Sequence, residues 1–180
     1  MLVLRSQAAV SSDAPCKREL LSRPADADVL GVDFSTPPPT WYDEWCTLLG
    51  TAPDNAAVVT TADLAAVAEA DEETDYEVET VASPSNLTGV GVKSTPYLSE
   101  WDDPVVTVES LTVLLQYVDA QAVYRFLHVL TSRLAASGAS GQFYLDPVTQ
   151  DEQTVDLLKT LFDAVVEYDD GEWLVRTRTA

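Results

Sequence analysis

Apolar and polar positions alternate between two periods along this chain, and the switches between them outline a layered α/β protein. Met1 to Leu4 (MLVL) predicts a first strand, followed by the small, polar stretch Ser6 to Asp13. Cys16 to Ser22 fits a short helix, and Val29 to Phe34 (VLGVDF) a buried strand. The prolines 37 to 39 then stop any regular element between Ser35 and Thr40. From Thr40 as N-cap, WYDEWCTLLG places Trp41, Trp45, Leu48 and Leu49 at helical spacing and ends on Gly50. Ala56 to Thr60 predicts a third strand, an alanine-rich segment to Ala70 a short helix, and Asp71 to Asp75 a loop. Tyr76 to Val81 alternates polar with apolar, as a strand near one sheet edge does.

Asn86 to Trp101 reads two ways. Leu87, Val90, Val92 and Leu98 would populate one side of a helix, whereas Gly89, Gly91 and Pro96 weaken it. The pattern sharpens after Pro104. Val105 to Val108 is a β-branched run of the kind buried on both faces, within the apolar run PVVTVESLTVLL. The helix opening at Asp119 aligns Val123, Phe126, Leu127, Leu130 and Leu134 in one stripe and ends toward Gly138 and Gly141. The strand Gln142 to Leu145 follows, then a helix capped by Asp151 with Val155, Leu158, Leu161 and Phe162 as its apolar stripe. Ala164 to Tyr168 and Trp173 to Thr177, joined by Asp169-Asp170-Gly171, predict a terminal hairpin. Strands alternating with helices and closing on an antiparallel pair describe an α/β fold, a mostly parallel sheet flanked by helices, in one domain over residues 1–180.

Charge changes the picture next. Asp and Glu number 30 against 10 Lys and Arg, a net charge of −20, and the only lysines are Lys17, Lys93 and Lys159. The acids are spread along the chain rather than blocked, so they form a surface rather than a tail. Such self-repulsion suits a salt-adapted cytoplasm, where the screening length falls to about 3 Å at 1 M. The same charge argues against nucleic acid as a direct ligand, because no window carries a basic cluster. Arg176 and Arg178, at alternate positions of the last strand, read as a solvated edge. Cys16 and Cys46 lack any CxxC spacing and read as reduced, structural thiols. No apolar run approaches 18 residues and the start is too polar for a signal peptide, so a cytoplasmic protein with no membrane partner is expected.

Ligands of open parallel sheets bind beyond the carboxyl ends of strands, which singles out Asp33, Glu109 and Asp146. If their strands are neighbours, these carboxylates could converge on a divalent cation and the phosphates of ATP; the commoner role of strand-end acids is to cap the turn that follows. His128, the only histidine, reads as a core or partly buried imidazole rather than a catalytic base, since no GxSxG-like elbow accompanies it. A phosphate loop is missing: no glycine precedes Gly31, and Lys17 is not followed by Ser or Thr. Trp41 and Trp45 either form an exposed aromatic patch or, more commonly for such a pair, cover the core where their helix docks.

The stretch VVTVESLTVLLQYVDAQAVYRFLHVLTSRLAASGASGQFYLDP resembles the RecA/KaiC-type ATPase domain around its Walker B strand. It is more similar still to haloarchaeal KaiC-like, "HTR-like" proteins of unknown function, with the acid-Ser-Leu strand end, RFLHVLT and Leu-Asp-Pro as shared marks; VLGVDFSTPPPTWYDEW and DEQTVDLLKTLFDAVVE extend the resemblance. It implies a RecA-like sheet with Glu109 at the Walker B position. Where those ATPases carry the Walker A loop this chain has Gln7 to Lys17, and where catalytic glutamates follow the second strand it has Ser35 and Thr36. The resemblance therefore implies a non-catalytic regulatory or interaction module without cofactor, acting on a protein partner. The alternatives are a degenerate nucleotide-binding protein holding ATP and Mg²⁺ through Asp33, Glu109 and Asp146, and a homo-oligomeric scaffold built through the hairpin or the tryptophan helix.

Overall fold

A computed structural model describes residues 1–6, 17–18, 21, 26–67, 74–169 and 172–177. The strands are β1 (Leu2–Leu4), β2 (Asp28–Asp33), β3 (Asn55–Thr61), β4 (Glu77–Val81), β5 (Val105–Glu109), β6 (Ser140–Leu145), β7 (Ala164–Asp169) and β8 (Glu172–Thr177). They form one eight-stranded sheet in the order β4-β3-β2-β5-β6-β1-β7-β8. Every neighbouring pair is parallel except β7 with β8, so the α/β class, the mostly parallel sheet and the closing hairpin all stand as the alternation of periods predicts. β4 is at one edge, as its polar–apolar alternation requires.

The helices are α1 (Pro38–Leu49), α2 (Ala62–Ala65), α3 (Leu87–Glu100), α4 (Leu111–Tyr117), α5 (Ala120–Ser137) and α6 (Glu152–Lys159). Because side chains alternate across a strand, each central strand feeds two cores. Leu30, Val32, Val59, Val106 and Val108 point into the larger one, beneath α3 to α6. Val29, Val58 and Val105 point to the other face, where Trp41 and Trp45 of α1 cover them. Both indoles are 2% exposed, so the tryptophan helix is a core lid and not an aromatic patch.

Several elements differ from their sequence expectation for identifiable reasons. α1 opens at Pro38 rather than after Thr40: first-turn N–H groups have no intrahelical acceptor, so prolines there forfeit nothing, and Trp41 N–H already reaches Pro37 O at 3.0 Å. Its end on left-handed Gly50 is as expected. The ambiguous segment after Asn86 is helical despite Pro96. The Asn86 side chain caps it by accepting from Gly89 N–H, and the Thr95 hydroxyl donates back to Gly91 O, while Val90, Tyr97 and Leu98 are buried against the sheet. The run PVVTVESLTVLL divides after Glu109, where Ser110 caps α4 by accepting from Val113 N–H and Leu111 and Leu114 enter the core. α5 keeps its predicted stripe with Asp119 as cap and Gly138 as left-handed stop.

His128 is exposed on α5 beside the Tyr124 ring, a correction to the expected core imidazole: the buried stripe runs through Leu127 and Leu130, and His128 falls off it. α6 stops at Lys159, before Leu161 and Phe162, yet Phe162 still packs on Phe143 with ring centroids 5.0 Å apart. Cys46 is a free, half-buried thiol. Arg176 reaches Glu167 across the hairpin at 4.0 Å as an exposed pair. Cys16, Arg178, the residues 170–171 of the hairpin turn, most of the predicted Cys16–Ser22 helix and residues 68–73 lie outside the described residues. Among those described, no helix is long and apolar enough to cross a membrane.

Candidate functional site

The sheet order fixes where a site can form. From β2 the chain moves to β3 on one side, and from β5 it moves to β6 on the other, so the connections diverge at the adjacent carboxyl ends of β2 and β5. Such divergence opens a crevice between neighbouring strands. Asp33 and Glu109 occupy it, opposite one another in the β2–β5 register. Asp146 ends β6, one strand further along.

The three acids meet different fates. Asp33, 2% exposed, folds back on its own turn: Ser35 N–H and hydroxyl and Thr36 N–H all donate to its Oδ1, at 2.7, 2.8 and 3.0 Å. Asp146 caps the turn after β6, its Oδ1 accepting from Val148 N–H at 3.0 Å while its own N–H donates to the Thr112 hydroxyl. Glu109 caps nothing. Its carboxylate receives two cations, Arg5 Nη2 at 3.3 Å on Oε2 and Lys17 Nζ at 2.7 Å on Oε1, with all three side chains largely shielded.

Those cations are built into the sheet face. Arg5 prolongs β1, its N–H bonding Leu145 O, and its guanidinium stacks over the Tyr144 ring at 4.3 Å. Lys17 is 5.6 Å from the same ring and 6.0 Å from that of Trp45. The Tyr144 hydroxyl donates to the wholly buried Gln142 Oε1. A planar guanidinium on an aromatic face beside a carboxylate is a strong arrangement away from water. In front of it lies a cleft of about 340 Å³ whose walls include Arg5, Ser35, Ser110, Thr112, Gln116 and Asp146. The peptide bond between Glu109 and Ser110, the latter a wall residue of the cleft, is cis.

Burial raises the Asp33 carboxyl above the usual carboxylate range, the Glu109 charge adds to the rise, and the Ser35 and Thr36 hydrogen bonds oppose it. A carboxyl whose folded pKa is raised contributes stability that is present below the ordinary value and is lost as pH rises through the raised one. Asp33→Asn, which keeps the oxygen acceptor, is therefore expected to lose nothing at neutral pH and to fall behind the wild type on mild acidification. Urea midpoints of both chains at neutral and acidic pH measure this; a difference that does not move with pH would refute it.

Arg5, Lys17 and Tyr144 are the residues sequence reasoning did not place. Arg5 carried one signal, a charge directly after a wholly apolar strand, and Lys17 entered only as the lysine of an incomplete phosphate loop. Residues 7–16 of that stretch lie outside the described residues. Among those described, no three His, Cys, Asp or Glu side chains are grouped to hold a metal.

Residues 1–168 match one protein family, so the match takes in β1, the crevice and all its charged residues. The chain belongs to the family of unknown function DUF7504. No curated protein matches this DUF7504 member. Among solved structures it is similar in fold to PH0250 from Pyrococcus horikoshii OT3, at 12% identity and a TM-score of 0.61, over 98% of this chain and 84% of that one. It is also similar to the uncharacterized protein PH0321 from Pyrococcus horikoshii, solved in complex with an unknown peptide, at 10% identity and a TM-score of 0.54, over 99% of this chain and 91% of that one. At these identities the likeness concerns the fold alone.

Proposed function

We propose that this DUF7504 member is a non-catalytic RecA/KaiC-like module of a salt-adapted cytoplasm, regulatory in role and acting through a protein partner. The observation that carries the reading is the state of Glu109. A carboxylate that positions Mg²⁺ and a γ-phosphate has to present its oxygens to the ligand. Here both Glu109 oxygens are engaged by Arg5 and Lys17, and Asp33 Oδ1 is engaged by its own turn. The crevice is compensated from within, as a retained structural feature is. The net charge of −20 with three lysines supports the salt-adapted setting. That PH0321 was solved with an unknown peptide is in keeping with a protein or peptide as ligand.

Calorimetric titration with ATP and Mg²⁺ in multimolar KCl, beside a phosphate-release assay, tests the reading. No saturable heat and no hydrolysis above the buffer blank are expected. Saturable binding at the crevice, or hydrolysis that co-elutes with the chain, would instead favour the degenerate nucleotide-binding alternative.

A further inference from the structure

On the face of the sheet opposite Trp41 and Trp45, α3 and α5 lie side by side, and the furrow between them is open. Its walls include Leu87, Gly91, Val92, Phe126, Val129 and Leu130, enclosing about 460 Å³. Beyond the 2.6 Å hydrogen bond from Arg133 Nη1 to the Thr95 hydroxyl the furrow continues as a second cleft, between Leu98 and Ala136. Residue numbers rise together along both walls, so the helices run parallel. From Leu87 to Ser99 the furrow spans about 18 Å at 1.5 Å per residue.

Two properties set it apart. Its walls keep apolar side chains in water, with Val92 63% and Val129 52% exposed. And the acid coat stops at its edge. α5 has no Asp or Glu in 18 residues, and α3 has one in 14, Glu100 at its last position. The chain average of 30 acids in 180 residues would put about five on these helices. The charges they carry instead are Lys93, Arg125 and Arg133, and both arginines line the furrow.

We propose that this groove is a docking site for an acidic amphipathic helix of a partner protein, about three turns long, whose apolar stripe covers Val92 and Val129 and whose flanking carboxylates meet Arg125 and Arg133. Charge selects this occupant over a second copy of the chain: two grooves meeting face to face would set arginine against arginine. Salt does not abolish such docking, because apolar burial persists in concentrated salt and ion pairs shielded by the docked helix are screened much less than exposed ones. The groove supplies the surface that the interaction-module reading requires, and its assignment rests on that reading.

Gly91 offers a test, since it lines the groove and a Cβ there would meet nothing within 4 Å. The probe is a fluorescein-labelled helical peptide with leucines at i, i+3, i+4 and i+7 and glutamates flanking them, beside a twin with lysines for the glutamates. Both are titrated by anisotropy against the full chain in multimolar KCl. The glutamate peptide is expected to bind at least about tenfold more tightly than its twin, and Gly91→Phe and the pair Arg125→Glu/Arg133→Glu each to weaken it by about tenfold or more. Equal binding of the two peptides, no binding of the glutamate peptide, or an unimpaired arginine pair variant would overturn the proposal. So would a wild-type dimer in light scattering that Gly91→Phe dissociates. ATP hydrolysis by the wild type would remove the non-catalytic reading and leave these titrations as they stand, so the two failures are distinguishable.

Discussion

Glu109→Gln is expected to destabilise the fold by about 3 kcal/mol, the cost typical of removing one partner from a buried charge network. Glu109 is the carboxylate that Arg5 and Lys17 share, and their side chains are 16%, 8% and 12% exposed. Taking charges out of water is costly, and the share of the offsetting attraction that Glu109 supplies disappears with the carboxylate while both cations stay in place. The exposed pair Lys93–Glu79 is the control: its lysine side chain is 43% exposed, and Lys93→Met is expected to cost under about 1 kcal/mol. Urea unfolding in multimolar KCl compares the two. A Glu109→Gln chain as stable as Lys93→Met would show that the crevice network is held by something other than this carboxylate. The same comparison separates a structural role from a catalytic one, since a site selected for turnover commonly gains stability when its charge is removed.

Trp41→Ala is expected to cost about 3–5 kcal/mol, in the range for a large aromatic lost from a packed core. The indole is 2% exposed and lies flat against β2 at Gly31, where a Cβ would stand 2.6–2.8 Å from Nε1, Cε2 and Cζ2. Gly31→Ala should therefore destabilise by about 1–3 kcal/mol through overpacking. With the indole gone the added methyl meets no obstacle, so the double substitution should cost less than the sum of the singles. The indole N–H, buried with no hydrogen-bond partner among the described residues, makes Trp41→Phe the mildest of the series. Additive urea midpoints across this cycle would mean that Gly31 and Trp41 do not share one contact.

Gly31 shows how sequence and structure divide the information. In VLGVDF it is a weak point in an otherwise ideal strand, and periodicity places the strand correctly all the same, because Val29, Leu30 and Val32 decide its burial. Why glycine stands there is invisible until α1 brings Trp41 across the face. Pro96 is the converse. Locally it argues against a helix, and burial of Val90, Tyr97 and Leu98 outweighs it once the sheet is present.

The candidate site divides the same way. That Asp33, Glu109 and Asp146 end strands was legible, since strand ends follow from apolar runs and the carboxyl edge is where ligands bind in such sheets. That Asp33 and Asp146 cap their own turns while Glu109 faces Arg5 and Lys17 was not, because those partners are 104 and 92 positions away. The scarcity of acids in α3 and α5 lay in the sequence too, but it describes one surface only because two helices separated by β5 and α4 become neighbours.

By itself the sequence determined the class of fold, the alternation of strands and helices, the cap at Asp151 and the stops at Gly50 and Gly138, and the acid surface. These rest on local periodicity and composition, which do not require knowing what packs on what. The tertiary structure alone decided the strand order, the pairing of Glu109 with Arg5 and Lys17, and the groove between α3 and α5. Each depends on contacts between residues far apart in the chain, and hydrophobic burial, which drives those contacts, is non-directional and leaves no periodic trace of its choice of partner.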